Sequence, residues 1–132
     1  MAPQAQFYKQ MENIRLAASY VKENARTYGY SPDKIAAVGS SAGGHLALML
    51  ATIEAHDMLG FSEELKIKDT RPGAVIVYCP VTTLHVDKKY WKTRDTFPDY
   101  KVFLGCSEEE NPKLYTTASP LDRVTGREPE IL

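Results

Sequence analysis

The sequence predicts an α/β fold built on a parallel sheet, and three observations carry that prediction. Residues 7–25 place apolar side chains at steps of three and four, the period of a helix with one buried face. Two short continuous apolar runs, 35–38 and 74–77, have the pattern of parallel strands buried on both faces. Between the first run and a second helical segment stands Gly39-Ser40-Ser41-Ala42-Gly43-Gly44, a glycine-rich strand-to-helix turn. Helix, strand, helix, strand with right-handed crossovers is the order that builds such a sheet.

Each element can be justified in turn. Phe7, Met11, Ile14, Ala18, Val21 and Ala25 form the apolar face of the first helix. Gly29 is expected as its C-cap, with Pro32 just beyond. Lys34-Ile35-Ala36-Ala37-Val38 supplies the first strand. The next helix reads from His45 through Glu54, where Leu46, Leu50 and Ile53, with Ala47 and Ala51 alongside, give a broad apolar face. Residues 57–73 form a polar connection. Ala74 to Val77, extended by Tyr78 and Cys79 and stopped by Pro80, is the second strand. Cys79, inside that strand, is expected to be a buried thiol. From Val81 the pattern weakens, and residues 82–104 mix Thr, Lys, Asp and aromatic side chains. Residues 111–117 read as a short helix with Pro112 in its first turn.

A chain of 132 residues is long enough for one domain with a core. Its 43% apolar and 25% charged fractions argue against disorder. The formal net charge of −1 gives no nucleic-acid surface. No apolar run approaches a membrane span. The first ten residues are mostly polar, so no secretory signal is visible, and the compartment stays open. Cys79 and Cys106, the only cysteines, are too few for a disulfide framework or a zinc site. Nothing calls for a metal or a cofactor.

The turn carries the chemistry. Gly39, Ser41 and Gly43 match Gly-x-Ser-x-Gly, and the strand before and helix after are the context of a nucleophile elbow. Placing Ser40 in the nucleophile slot would need glycine at Val38 and Ala42, which fails twice. A serine hydroxyl is a weak nucleophile and must be presented openly to a base. Gly39 and Gly43 carry no Cβ, so strand and helix can approach closely around it. The helix N-terminus then lies where negative charge would develop.

The stretch Tyr30-Ser-Pro-Asp-Lys-Ile-Ala-Ala-Val-Gly-Ser-Ser-Ala-Gly-Gly-His-Leu-Ala47 resembles the nucleophile region of α/β-hydrolase esterases. The acetyl esterase and feruloyl esterase-like branch, itself similar to the hormone-sensitive-lipase group, is the best match. Val75-Ile-Val-Tyr-Cys-Pro-Val81 looks like the next core strand. Residues 103–112 and 118–122 look like the segment leading into the following strand. The resemblance implies that residues 1–132 form a single partial α/β-hydrolase domain lacking N- and C-terminal parts. It implies a small carboxylic ester as substrate, with acetyl or feruloyl esters of carbohydrate as candidates. Ser41 would be the nucleophile, the Ala42 backbone N–H half of the oxyanion hole, and Gly39, Gly43 and Gly44 the frame of the elbow. In that family the other half comes from an upstream His-Gly-Gly loop, yet no histidine precedes His45 and no glycine precedes Gly29. The family's acid and histidine would follow the strand that begins near Glu130. The chain by itself is therefore expected to be inactive.

Other residues have simpler readings beside the functional ones. In the resembling family a histidine at His45 packs the elbow, and its place one turn into the helix is poor geometry for a dyad. His56 reads as a solvated residue near a helix end. His85 follows the C-terminal end of the second strand, where α/β sheets place their sites. With Thr82 and Trp91 it is a candidate pocket residue, although a solvated loop histidine is the simpler reading. Tyr90, Trp91 and Phe97 could cap an acyl or aryl pocket, or simply pack a loop onto the sheet. Asp87, Asp95, Asp99 and Asp122 are candidate acids by type only, and Asp122 reads more simply as a turn or capping residue. Lys88, Lys89, Lys92 and Arg94 read as a solvated face. Two alternatives stay open. One is a serine peptidase of the prolyl-oligopeptidase kind, where a bulky aromatic tends to stand in place of Ala42. The other is a non-catalytic binding or regulatory piece, pairing or self-associating through an exposed sheet edge.

Overall fold

A computed structural model describes residues 5–54, 57–65, 68–85 and 100–132. His56, Asp87, Tyr90, Trp91, Asp95, Phe97, Asp99 and the basic group at 88–94 lie outside the described residues.

The first helix, α1, spans Phe7–Glu23. It ends on Asn24, whose side-chain amide donates to the Tyr20 carbonyl at 2.8 Å. Gly29 was expected to close the helix. Instead it serves a separate turn further on, where its φ of 79° is left-handed. The buried stripe is also rotated from the expected one. Phe7, Met11, Arg15 and Ser19 are buried, while Ile14, Ala18 and Val21 are only half-buried. The reason is the segment after the second helix, which lies across α1. The Arg15 guanidinium reaches it and donates to the carbonyls of Leu59, at 2.6 Å, and Asp57, at 3.1 Å. Burial pushes the Arg15 pKa down, and nearby Asp57 pushes it back up. Gly60 lies so close to α1 that a Cβ there would sit 2.4 Å from the Glu12 nitrogen.

Strands β1 (Ala36–Ser40), β2 (Ala74–Tyr78) and β3 (Glu130–Ile131) form a parallel sheet in the order β1-β2-β3. Ala36 faces Ala74 and Ser40 faces Tyr78, while Val75 faces Ile131. The Leu132 N–H donates to the Val75 carbonyl and the Val77 N–H to the Leu132 carbonyl, both at 2.9 Å. Among the described residues β1 has a neighbour on one side only.

Helix α2 (Ala42–Ala51) follows β1 after a single residue, starting three residues earlier than its apolar pattern indicated. Its Ala47, Leu48 and Ala51 pack on Val75, Ala37 and Val77, covering one face of the sheet. Seven of its ten residues are buried, because α1 packs on its other side. The strands were expected to be buried on both faces. The opposite face is open instead: Val38 is 72% exposed and Tyr78 75%. Among the described residues the packed helices lie on the α2 side.

A 3₁₀ turn at Glu63–Leu65 sets Leu65 into the interior. Helix α3 (Tyr100–Leu104) carries Leu104 into the main core. Helix α4 (Pro112–Thr117) begins as its sequence indicated. Pro112 stands at its start, and the Asn111 side-chain oxygen accepts from the Leu114 N–H at 3.1 Å. A second 3₁₀ turn, Pro120–Arg123, follows. The main core joins Phe7 and Met11 of α1, Met49 of α2, Leu84 after β2, and Leu114 and Tyr115 of α4. Buried Ser119 locks these parts together, because its hydroxyl donates to the Tyr115 carbonyl and accepts from the Leu84 N–H, both at 2.8 Å.

Candidate active site

Ser41 is the single residue between β1 and α2, and the reversal is absorbed in its backbone. Its φ and ψ are 50° and −117°, a conformation that a non-glycine residue adopts only under constraint. The constraint is visible on both sides. Its N–H donates to the Tyr78 carbonyl at the end of β2, at 3.0 Å, and its carbonyl accepts from the His45 N–H, also at 3.0 Å. Its side chain does not cap the helix, so the hydroxyl is not spent there. Ser41, Ala42 and Gly43 are exposed. The first turn of α2 holds no acidic residue to offset its positive end.

The glycines around Ser41 divide the work unevenly. A Cβ on Gly39 would fall 2.3 Å from the Gly43 carbonyl oxygen, and one on Gly44 would meet the Pro80 side chain at 3.0 Å. The first approach needs the small residue, while at the second Pro80 would have to give way by a few tenths of an ångström. A Cβ on Gly43 would meet nothing within 4 Å, so close packing was the wrong reason to expect glycine at that position.

A cavity of about 500 Å³ adjoins the elbow. Ala42, Gly43, His45 and Leu46 form its wall on the α2 side, with Val81 and Leu84 from the segment after β2, Tyr100 and Phe103 from α3, and Gln10 from α1. The lining is mainly apolar. Burial raises the Tyr100 pKa. Thr82 and His85 are not among its lining residues, and Trp91 lies outside the described residues. Sequence reasoning missed Val81, Leu84, Tyr100, Phe103 and Gln10. The three-residue spacing of Tyr100 and Phe103 was the one local signal available.

His45 is buried. Its Nε2 lies 2.8 Å from the Ala118 carbonyl, and its ring meets Phe103 edge-on with centroids 5.7 Å apart. Burial pushes its pKa down, so the neutral ring donates from Nε2 to that carbonyl. This is a packing role, as its position suggested.

His85 is not a free loop histidine. Its Nδ1 lies 2.5 Å from a Glu108 carboxylate oxygen, and its Nε2 lies 3.1 Å from Asp122 and 3.4 Å from the Thr116 hydroxyl. Asp122, inside the second 3₁₀ turn, is thereby a partner of His85. Cys79 was expected inside β2 and buried. It stands one residue past the strand end, exposed, with a φ of 46°. The strand stops sooner because Pro80 cannot donate to a ladder and the chain turns away there. Among the described residues no group of His, Cys, Asp and Glu could hold a metal ion. No described helix is long and apolar enough to cross a membrane.

Comparisons with known proteins agree with this geometry. The BD-FAE family model matches residues 1–132. Two curated relatives from Mycobacterium tuberculosis are similar in sequence. Esterase LipC is 28% identical over 140 residues, covering 100% of this chain and 32% of its own length. Esterase LipQ is 29% identical over 128 residues, covering 97% of this chain and 30% of its own. The chain thus spans about a third of either relative. Among solved structures, a butyrate-bound thermophilic esterase from the planctomycete Thermogutta terrifontis superposes with a TM-score of 0.69 at 22% identity, over 97% of this chain and 43% of that one. A truncated carbohydrate esterase from gut microbiota gives a TM-score of 0.76 at 21% identity, over 97% and 49%. The fold is that of a partial α/β-hydrolase.

Proposed function

We infer that this chain, which belongs to the BD-FAE family, is the nucleophile-bearing part of a serine carboxylic ester hydrolase. The observation that carries the reading is the Ser41 backbone, left-handed between a strand end and a helix start, beside an apolar cavity. The substrate class is small acyl esters, acetyl or feruloyl esters of carbohydrate among them. Membership in this family and the likeness to two esterases support the reaction class.

The chemistry follows from the positions. Ser41 Oγ attacks the ester carbonyl carbon while a base takes its proton. The carbonyl π pair moves to oxygen, and the oxyanion is received by the Ala42 N–H at the positive end of α2. The C–O bond to the alcohol then breaks, the alcohol leaves with a proton, and water repeats the sequence on the acyl-serine. The acyl group lies against Val81, Leu84, Tyr100 and Phe103. Neither His45 nor His85 suits the role of base. The first donates to Ala118, and the second is held by Glu108 and Asp122. No other histidine is among the described residues, and in the resembling family the imidazole, its carboxylate and a second oxyanion donor come from flanking segments, so efficient turnover should need them. The isolated 132 residues should hydrolyse esters near the background rate.

The test uses the chain joined to flanking segments such as its relatives possess, assayed on short-chain nitrophenyl esters and aminoacyl amides. Ester cleavage should fall by a factor on the order of 10⁶ in Ser41→Ala, as loss of a triad serine does elsewhere. A fluorophosphonate adduct should map to Ser41. Unchanged hydrolysis in Ser41→Ala, or amide cleavage without ester cleavage, overturns the reading.

A further inference from the structure

Ser41 and Cys79 are the only non-glycine residues with left-handed φ among the described residues, and they stand side by side. β1 and β2 run parallel with Ser40 facing Tyr78, so each residue is the first beyond its own strand. One hydrogen bond and one close approach link their surroundings. The Tyr78 carbonyl, immediately before Cys79, accepts from the Ser41 N–H at 3.0 Å. Pro80, immediately after Cys79, lies close to Gly44, where an added Cβ would meet its side chain at 3.0 Å. Cys79 thus joins one anchor on Ser41 to a second anchor on the first turn of α2.

The backbone of Cys79 is disfavoured twice. A left-handed conformation is costly for any residue with a Cβ, and the residue before a proline is driven toward extended backbone. Such a conformation persists only where its surroundings over-determine it. Here they are the β1–β2 ladder on one side and the seat of Pro80 against Gly44 on the other. The exposed thiol makes no part of this arrangement.

We propose that Cys79 is a positioning residue for the elbow, acting through its left-handed backbone and not its thiol. By turning the chain at φ 46° it keeps the Tyr78 carbonyl on the Ser41 N–H while Pro80 buttresses Gly44. It therefore fixes where the Ser41 hydroxyl and the start of α2 lie relative to one another. The inference rests on Ser41 being the nucleophile only for its kinetic consequence. The structural consequence stands separately.

The experiment compares Cys79→Gly, Cys79→Asn and Cys79→Val in the chain joined to its flanking segments. Glycine and asparagine tolerate a left-handed backbone, and valine does not. Amide hydrogen exchange is read at Ser41, and kcat and KM are read on a short-chain ester. Cys79→Gly and Cys79→Asn should keep slow exchange at Ser41 and nearly the parent kcat. Cys79→Val should exchange at least about tenfold faster there and lose kcat by roughly 10–100-fold with little change in KM, as a small misplacement of a reacting group does. Parent behaviour in Cys79→Val overturns the proposal. Equal loss in Cys79→Gly and Cys79→Asn also overturns it, because the thiol would then be the working part. If Cys79→Val does not fold, slow Ser41 exchange and retained kcat in the other two variants support the proposal, and loss in both refutes it. If hydrolysis proves independent of Ser41 while the exchange pattern holds, the nucleophile assignment fails and the positioning of the turn survives.

Discussion

Gly39 and Gly43 meet across the elbow, and a Cβ on Gly39 would lie 2.3 Å from the Gly43 carbonyl oxygen. The contact is with backbone, which cannot rotate aside as a side chain can. It makes the strand-to-helix turn as tight as it is and leaves Ser41 as its lone linking residue.

Substituting the two glycines should therefore give opposite results. Gly39→Ala should cost about 3 kcal/mol, at the upper end for overpacking, because β1 or α2 must shift. Gly43→Ala meets open space and replaces glycine within a helix, so it should change stability by less than about 1 kcal/mol, in the stabilising direction. Denaturant unfolding of both variants checks this. Equal losses would show that the close approach does not govern the turn.

His45 should make stability depend on pH. Its folded-state pKa lies below the ordinary histidine value, first because of burial, so the unfolded chain binds the proton more readily. Its favourable contribution is complete above a pH of about 6.5 and declines as the pH falls below that toward the folded-state value. His45→Leu should flatten this part of the profile. It should also cost about 1–3 kcal/mol at neutral pH, because the Ala118 carbonyl loses its donor. Thermal unfolding between pH 5 and 8 measures both effects.

A second acid dependence belongs to the turn before β3. The Glu128 carboxylate accepts from the Thr125 N–H at 2.6 Å, the Thr125 hydroxyl at 2.9 Å and the Gly126 N–H at 2.8 Å. These bonds, the Thr125 N–H foremost, bring its pKa down to about 2 from 4.5. The stabilisation is complete above pH 4.5 or so and is lost as the pH falls through about 2. Glu128→Gln should remove that dependence, and amide exchange at Thr125 and Gly126 across pH 2–5 should reveal it.

The 132-residue chain expressed alone should self-associate. Among the described residues β1 is unpaired along one edge, and Val38 and Tyr78 expose apolar surface on the open face beside it. Val38→Lys should shift sizing chromatography toward the monomer. A compact monomer before that substitution would show that the edge and face are protected in some other way.

The sequence by itself determined the elements whose causes are local. Gly39, Ser41 and Gly43 marked the turn. Apolar runs marked β1 and β2, and Asn111-Pro112 marked the start of α4. Each signal works within a few residues, through sterics, capping or periodicity, so it can be read without knowing what packs where. Tertiary structure decided what depends on distant partners. Arg15 and Ser19 of α1 are buried where Ile14 and Ala18 are only half-buried, because the carbonyls of Asp57 and Leu59 draw the Arg15 guanidinium inward. His85 joins Glu108 and Asp122 across more than twenty residues of chain. Tyr100 and Phe103 wall the cavity beside the elbow, and their three-residue spacing alone does not say what they face. Cys79 turns left-handed beside Ser41, whose N–H donates to the Tyr78 carbonyl just before it, a pairing made only when the two strands come together. Burial and hydrogen-bond satisfaction are properties of the assembled chain, and a one-dimensional pattern records only the part of them that repeats along it.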